Sequence, residues 1–224
     1  MEPSPRRPGP TSLPVLGRPP DRSSPAGGGR IPFLGLTGGL GSGKSTALAA
    51  FERAGAAVLS TDRIVHELYE SAEVVDAVRA RFGETVVAGG AVDRSALALR
   101  AFATEQDRAW LEGLLWPRVG LRMKQWRADL ERRPDPPRAA VVEVPLLFEA
   151  GMEDAFDATI AVVASEELRT SRAGARGHEA VEERSARQLN QKEKAHRATY
   201  VVVNDGTVGQ LDSQLSELLE MLGS

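Results

Sequence analysis

The chain has 224 residues, of which 42% are hydrophobic and 26% are charged, and its formal net charge is −3. This composition is typical of one soluble globular domain, and it excludes collagen-like, fibrous and wholly disordered proteins. The absence of cysteine excludes disulfides, thiolate metal sites and a cysteine nucleophile, and the mild negative charge gives no general attraction for nucleic acid or an anionic membrane. We therefore expect a cytoplasmic protein with no nucleic-acid partner, no membrane span and no evident obligate protein partner.

The first 30 residues differ in composition from the rest of the chain. They hold 8 of the 14 prolines and five arginines, with only Glu2 and Asp21 as acidic residues. A segment without apolar periodicity cannot bury enough surface to offset its ordering entropy. We predict a disordered Pro/Arg/Gly-rich tail over 1–30 and a folded domain over 31–222.

From residue 31 onwards, five apolar stretches of strand length alternate with stretches typical of helices. Four of the five are rich in β-branched residues and none alternates apolar with polar residues, which indicates strands buried on both faces. Such strands, separated by helices, predict an α/β fold with a parallel sheet of βαβ units covered by helices. The predicted strands are 31–37, 56–60, 139–144, 157–163 and 200–204.

Two of the intervening stretches have a distinctive helical pattern. The longer, 105–132, carries apolar side chains at 3.6-residue spacing and contains Pro117, where we expect a kink. The run 182–194 alternates acidic and basic residues and predicts a mostly solvated helix. The apolar stripe of the longer helix consists of Trp110, Leu111, Leu114, Leu115, Val119, Met123 and Trp126.

Residues 38–45 match the phosphate-loop pattern G-x-x-x-x-G-K-[ST] between the first predicted strand and a helix-like stretch at 45–54. Glycines let successive backbone N–H groups converge on phosphate oxygens, and the following helix adds the positive end of its dipole. Lys44 would reach the β- and γ-phosphates, and Ser45 would bind Mg²⁺ through its hydroxyl. The predicted ATP-binding residues are Gly39, Gly41, Ser42, Gly43, Lys44, Ser45 and Thr46.

Motifs elsewhere in the chain indicate which class of phosphate-loop protein this is. GTP switches carry an N-K-x-D loop, and the nearest string here, at 190–193, is not one. Motor and transporter ATPases end an apolar strand with Asp followed by Glu, whereas 139–144 offers only Glu143. A small kinase needs instead a second substrate site, a proton acceptor and mobile cations over the phosphates.

Two features meet these needs of a kinase, and each has an alternative explanation. Asp62 follows the second predicted strand, where a carboxylate points into the crevice at the carboxyl ends of parallel strands, but it would also suit the cap of a helix beginning at Arg63. Arg169, Arg172 and Arg176 share one face if they lie on a helix. That face would be either a cationic lid or a solvated surface paired with nearby glutamates.

Several motifs, in the same order along the chain, resemble those of dephospho-coenzyme A kinases. They are the phosphate loop within 36–46, Asp62, the string P-L-L-F-E at 145–149, Arg172 with Arg176, the pair at 193–194, and the strand at 200–204 that leads into N-D-G. P-L-L-F-E together with N-D-G is more specific than the phosphate loop alone. The resemblance runs from about residue 31 to residue 206.

The resemblance implies a function and a fold. Members of this family use MgATP to phosphorylate the 3′-hydroxyl of dephospho-coenzyme A, giving coenzyme A and ADP in the last step of that cofactor's synthesis. The implied fold is a P-loop kinase core with a five-stranded parallel sheet, a helical substrate-binding part at about 64–132 and a small lid at about 169–190. ATP would be the co-substrate, Mg²⁺ the metal ion and dephospho-coenzyme A the small-molecule partner.

The resemblance also implies roles for individual residues. Asp62 is expected to be the general base, with Lys44, Arg172 and Arg176 as further catalytic residues. Arg184 and Gln188 match an R-x-x-x-Q pattern that follows the lid. The expected substrate-binding residues are Asp62, Arg94, Trp116, Leu146 and Glu149.

Two positions depart from the family pattern. Members usually have D-A-D where this chain has Ser60-Thr61-Asp62, so a carboxylate that would help to hold Mg²⁺ is replaced, and we expect weaker Mg²⁺ binding. Trp116 stands where the family commonly has His; it would stack on adenine, pack against a pantetheine arm, or be a plain core residue. These departures keep two other functions open, namely a related nucleoside or nucleotide kinase and a non-catalytic ATP-binding module.

Overall fold

The computed structural model describes residues 16–17, 30–174 and 189–223. Two compact units are present: a core unit, which comprises the chain up to Val58 and from Pro137 onwards, and a helical unit, Leu59–Pro136. The strands are β1 (Leu16–Gly17), β2 (Phe33–Gly38), β3 (Ala57–Ser60), β4 (Val87–Ala88), β5 (Ala91–Val92), β6 (Ala140–Glu143), β7 (Ala158–Val163) and β8 (Tyr200–Val203). The helices are α1 (Lys44–Arg53), α2 (Thr61–Leu68), α3 (Ala72–Phe82), α4 (Arg94–Ala101), α5 (Glu105–Glu131), α6 (Glu166–Gly174), α7 (Gln191–Arg197) and α8 (Val208–Gly223).

The main sheet has the order β1-β8-β7-β2-β6-β3, which places the strand of the phosphate loop at its centre. The pairs β2–β6, β2–β7 and β7–β8 are parallel. The predicted five-stranded parallel sheet is confirmed. Its strands fall within one or two residues of the predicted stretches, because continuous apolar runs mark strands covered on both faces.

The strand β1 lies inside the stretch predicted to be disordered. Leu16 and Gly17 pair in antiparallel fashion with Val201 and Tyr200 of β8. An edge strand presents unpaired N–H and C=O groups that accept a further strand whatever its side chains, so composition did not predict this pairing. The rest of the predicted tail before Arg30 lies outside the described residues.

Helices α1 and α8 cover one face of the sheet. Phe51 of α1 and Leu215 and Leu218 of α8 are fully buried in a cluster with Leu34 and Leu36 of β2. Two side chains pack directly against Gly35 of β2. A Cβ at this position would lie 2.6 Å from Leu147 Cδ1 and 2.8 Å from Phe156 Cδ2. The central strand is therefore packed tightly on both sides, which holds the phosphate loop at its end.

The helical unit consists of α2 to α5 and the short hairpin β4–β5. The predicted long helix is confirmed as α5, which begins after Thr104, whose hydroxyl accepts a hydrogen bond from the Asp107 N–H at 3.0 Å. The helix continues across Pro117. Leu111, Leu115, Val119 and Met123 of the predicted stripe are buried, whereas Trp110, Leu114 and Trp126 at its edges are half-buried.

The structure describes only residues 189–194 of the charged run that is predicted as a solvated helix over 182–194. Residues 182–188 lie outside the described residues, and helix α7 begins at Gln191, where Asn190 and Glu193 form a reciprocal capping box. Lys194 is fully buried, so the prediction of a solvated face is wrong at this residue. Among the described helices, none has the length and apolarity that crossing a bilayer requires.

Candidate active site

The phosphate loop joins the end of β2 to the start of α1, as the motif requires. Gly41 and Gly43 have φ of +72° and +91°, in the left-handed region that favours glycine. A Cβ on Gly43 would lie 2.1 Å from Asn204 Nδ2, and one on Gly41 would lie 2.4 Å from the Arg169 carbonyl oxygen. Both positions thus require glycine for conformation and for space.

The Lys44 ammonium is held against this loop. Its Nζ donates hydrogen bonds to the carbonyl oxygens of Gly38 and Gly39, both at 3.1 Å. Lys44 is also the first residue of α1, so its charge adds to the positive end of the helix dipole. The loop therefore concentrates positive potential where a polyphosphate is expected to bind.

The residues present fit the phosphates of ATP. Ser42 is fully buried, and its Oγ has no hydrogen-bond partner among the described residues. A buried hydroxyl of this kind normally has a partner, and phosphate oxygens are suitable acceptors. Ser45, in the first turn of α1, is exposed and offers the hydroxyl expected for Mg²⁺, while the described residues contain no group of three or more acidic or histidine side chains placed to hold a metal.

Helix α6 contacts the phosphate loop directly through Arg169 and indirectly through Arg172 and Asn204. Arg169 Nε donates to the Leu40 carbonyl oxygen at 2.9 Å, and an Arg172 guanidinium nitrogen donates to the Asn204 carbonyl oxygen at 3.2 Å. In turn, Asn204 Nδ2 donates to the Ser42 carbonyl oxygen at 2.9 Å. The alternative of a solvated surface paired with glutamates is therefore wrong for Arg169 and Arg172.

The other predicted residues of the lid cannot be placed, because Arg176, Arg184 and Gln188 lie outside the described residues. Beside the loop, a cavity of about 260 Å³ is lined by both α6 and the segment after β8. Its lining residues are Gly41, Gly43, Thr46, Arg172, Asn204, Gly206 and Val208.

The P-L-L-F-E segment is a turn anchored in the core unit. Leu147 and Phe148 are buried, and Leu146 is half-buried. Glu149 Oε1 lies 3.0 Å from Lys194 Nζ and accepts a hydrogen bond from the Leu189 N–H at 2.8 Å. Burial lowers the pKa of Lys194, and the Glu149 carboxylate opposes this shift. The structure thus places Glu149, an expected substrate-binding residue, in a buried ion pair.

The remaining expected site residues belong to the helical unit. Helix α2 begins at Thr61 after the N-cap Ser60, so Asp62 is exposed within the first helical turn, and the alternative of Asp62 as a cap for a helix beginning at Arg63 is wrong. Trp116 is 39% exposed, so the alternative of a plain core residue is also wrong.

Arg94 is the first residue of α4 and is exposed. Asp93 caps this helix by accepting hydrogen bonds from the N–H groups of Ser95 and Ala96, both at 3.0 Å. Burial raises the pKa of Tyr69, and the nearby positive charge of Arg94 opposes the rise. The charged side chain of Arg94 therefore lies at the exposed start of a capped helix.

Two residues contact the loop in a way that the sequence did not predict. The sequence suggests Arg169 only as one cation of a possible lid, and Asn204 only as part of the string that ends in N-D-G. Both contact the phosphate loop from positions 129 and 162 residues away along the chain. The repeated arginine spacing was the available signal for Arg169, but the helical face by itself does not reveal what it packs against.

Comparisons with known proteins agree over most of the chain. A protein-family model described as dephospho-CoA kinase matches residues 32–210. A dephospho-CoA kinase of Deinococcus radiodurans is 40% identical over 192 residues, covering 84% of this chain and 91% of that protein. One from Rhodopseudomonas palustris is 38% identical over 190 residues, covering 84% and 94%.

Solved structures give the same picture. A crystal structure from Thermus thermophilus has a TM-score of 0.71 at 34% identity, covering 86% of this chain and 98% of that one. The dephospho-CoA kinase of Campylobacter jejuni has a TM-score of 0.63 at 22% identity, covering 85% and 96%, and this likeness shows the fold alone.

Proposed function

This chain belongs to the dephospho-coenzyme A kinase family, and we propose that it transfers the γ-phosphoryl group of ATP to the 3′-hydroxyl of dephospho-coenzyme A. The products are coenzyme A and ADP, and the reaction completes coenzyme A synthesis. The observation that carries this proposal is the family match across residues 32–210. The matched region includes a phosphate loop with Lys44 against it, Arg169 bonded to the loop, and Arg172 bonded to Asn204 beside it. A cytoplasmic location belongs to the same proposal.

The proposed chemistry is a direct transfer between two oxygens. A bond forms between the 3′-oxygen and the γ-phosphorus, the bond from that phosphorus to the β,γ-bridging oxygen breaks, and the hydroxyl proton passes to the Asp62 carboxylate. Phosphoryl transfer leaves the protein chiefly positioning and electrostatic work. Lys44 and the N–H groups of the loop would bind the phosphate oxygens, and Arg172 would balance negative charge on the transferred group.

The structure supports an assignment of the ATP site to the core unit. The cavity of about 260 Å³ opens directly beside Gly41 and Gly43 and is bounded by Thr46 and Arg172. We assign the nucleoside part of ATP to this cavity, because it is continuous with the phosphate loop. Mg²⁺, held by the Ser45 hydroxyl and the phosphate oxygens, would supply charge neutralisation.

The acceptor site is assigned to groups that suit a nucleotide with a long polar arm. Arg94 would bind a phosphate of dephospho-coenzyme A, and the exposed Trp116 ring would stack on its adenine or pack against its pantetheine arm. Leu146 would contribute apolar surface. Asp62, exposed in the first turn of α2, would accept the hydroxyl proton.

The test is an assay of ADP release by the full chain with MgATP and dephospho-coenzyme A, with mass detection of the product. AMP, adenosine and a blank without acceptor serve as comparisons. Turnover confined to dephospho-coenzyme A, with a product heavier by one phosphoryl group, would support the proposal. Turnover with another acceptor would identify a related kinase, and ATP binding without acceptor-dependent turnover would identify a non-catalytic module.

A further inference from the structure

A buried charge lies directly beneath the phosphate loop and has no place in the proposed chemistry. Lys194 of α7 is fully buried, and its ammonium has three partners. These are Glu149 Oε1 at 3.0 Å, the Pro145 carbonyl oxygen at 2.5 Å and Thr37 Oγ1 at 3.4 Å. We call Lys194, Glu149, Thr37 and Pro145 the Lys194 cluster.

The Lys194 cluster joins segments that are far apart in the chain. Thr37 is the residue before Gly38, and it is buried and donates its own hydroxyl to Pro145 at 3.3 Å. Glu149 Oε1, besides facing the ammonium, accepts the Leu189 N–H at 2.8 Å. The end of the central strand and the segment that enters α7 are therefore held at one point.

The same segment also holds the start of α6. The Gln191 side-chain amide binds both backbone groups of Ala164, with Oε1 accepting from the N–H at 3.2 Å and Nε2 donating to the carbonyl oxygen at 2.8 Å. Ser165 follows, and its N–H donates to Asp205 Oδ1 at 2.7 Å. Helix α6, which carries Arg169 and Arg172 to the loop, thus starts from a backbone fixed by α7.

The chemistry of the cluster restricts it to one arrangement. An ammonium has three donors, and here three oxygens receive them. A buried cation that lost its carboxylate would be left without charge compensation, so alternative positions of these segments are strongly disfavoured. Burial lowers the pKa of Lys194, and the hydrogen bond and charge of Glu149 oppose this shift.

We infer that Glu149 and Lys194 are positioning residues for phosphoryl transfer, which fix the phosphate loop and, through Gln191, the arginine-bearing helix α6 in one mutual arrangement. This inference rests on the proposed function. It gives Glu149 a role different from the expected contact with substrate. It also gives a reason for P-L-L-F-E and the Lys194 segment to occur together in one sequence.

The test compares Glu149→Gln, Lys194→Met and the double variant with Lys192→Met, which removes an exposed lysine from the same helix. We measure kcat, the KM for dephospho-coenzyme A and, separately, the Kd for ATP by calorimetry. A displacement of about 1 Å can reduce the rate roughly 100-fold. We therefore expect each single variant to lose about that much in kcat and to bind ATP about tenfold more weakly, with the KM for dephospho-coenzyme A changed less than twofold. The double variant should be no worse than either single variant, and Lys192→Met should match the unmodified chain.

Other results would overturn the inference or the proposed function. A rise in the KM for dephospho-coenzyme A with Glu149→Gln alone, with Lys194→Met normal, would overturn the inference in favour of a substrate contact. If Lys194→Met fails to fold, Gln191→Ala leaves the ion pair intact and should still reduce kcat; unchanged kcat in that variant would refute positioning. If the unmodified chain does not phosphorylate dephospho-coenzyme A, the proposed function fails, and unchanged ATP affinity across the variants would separately refute the positioning role.

Discussion

Replacing Gly41 by alanine tests whether α6 must dock on the phosphate loop for catalysis. The new Cβ would lie 2.4 Å from the Arg169 carbonyl oxygen and 2.9 Å from its Cα, whereas ordinary contact begins near 3.4 Å. The helix would therefore have to move by about 1 Å, which would break the hydrogen bond from Arg169 to Leu40. A displacement of that size is expected to lower kcat/KM roughly 100-fold.

The conformational effect of the same substitution can be measured apart from the steric one. A residue other than glycine in the left-handed backbone conformation lowers the free energy of unfolding by roughly 1–2 kcal/mol. This corresponds to a fall in Tm of about 2–8 °C for a domain of this size. Gly151 is the matched control: its φ is +61° and a Cβ there would have no atom within 4 Å. Gly151→Ala should lose a similar amount of stability and keep its activity.

The assay is steady-state turnover with MgATP and dephospho-coenzyme A, together with thermal unfolding of both variants. We expect both Tm values to fall, that of Gly41→Ala by more because its Cβ also displaces α6, while only Gly41→Ala loses turnover. If Gly41→Ala and Gly151→Ala had equal kcat/KM, docking of α6 on the loop would not matter for the reaction, and the reasoning from the close contact would be refuted.

Three further predictions concern the acceptor and metal sites. Asp62→Asn should lower kcat by about 10²–10⁴-fold with an unchanged Kd for ATP, and a variant with more than a tenth of the original rate would show that Asp62 is not the base. Ser60→Asp should lower the Mg²⁺ concentration needed for half-maximal rate, because a carboxylate is a preferred Mg²⁺ ligand. If the Mg²⁺ titration were unchanged, the missing carboxylate at position 60 would not weaken Mg²⁺ binding. Trp116→Ala should raise the KM for dephospho-coenzyme A, since stacking of a base on an aromatic ring is worth about 1–3 kcal/mol, or roughly 5- to 150-fold, and an unchanged KM would exclude that contact.

Much of the fold and the family was predictable from local sequence. The five parallel strands, the long helix α5 and the phosphate loop appear where apolar runs, helical periodicity and the glycine motif place them. The family resemblance is confirmed by the match over residues 32–210. These features depend on residues close together in the chain, because strand burial, helical faces and backbone turns follow from neighbouring side chains.

Contacts between distant segments were decided only by the tertiary structure. Lys194 looked like part of a solvated charged run, yet it meets Thr37 across 157 positions and is fully buried there. Arg169 reaches Leu40 across 129 positions, and Glu149 forms an ion pair with Lys194 of another element. A charged residue has the same local pattern whether it is solvated or buried with a partner, and only the arrangement of strands around the loop determines which partner it meets.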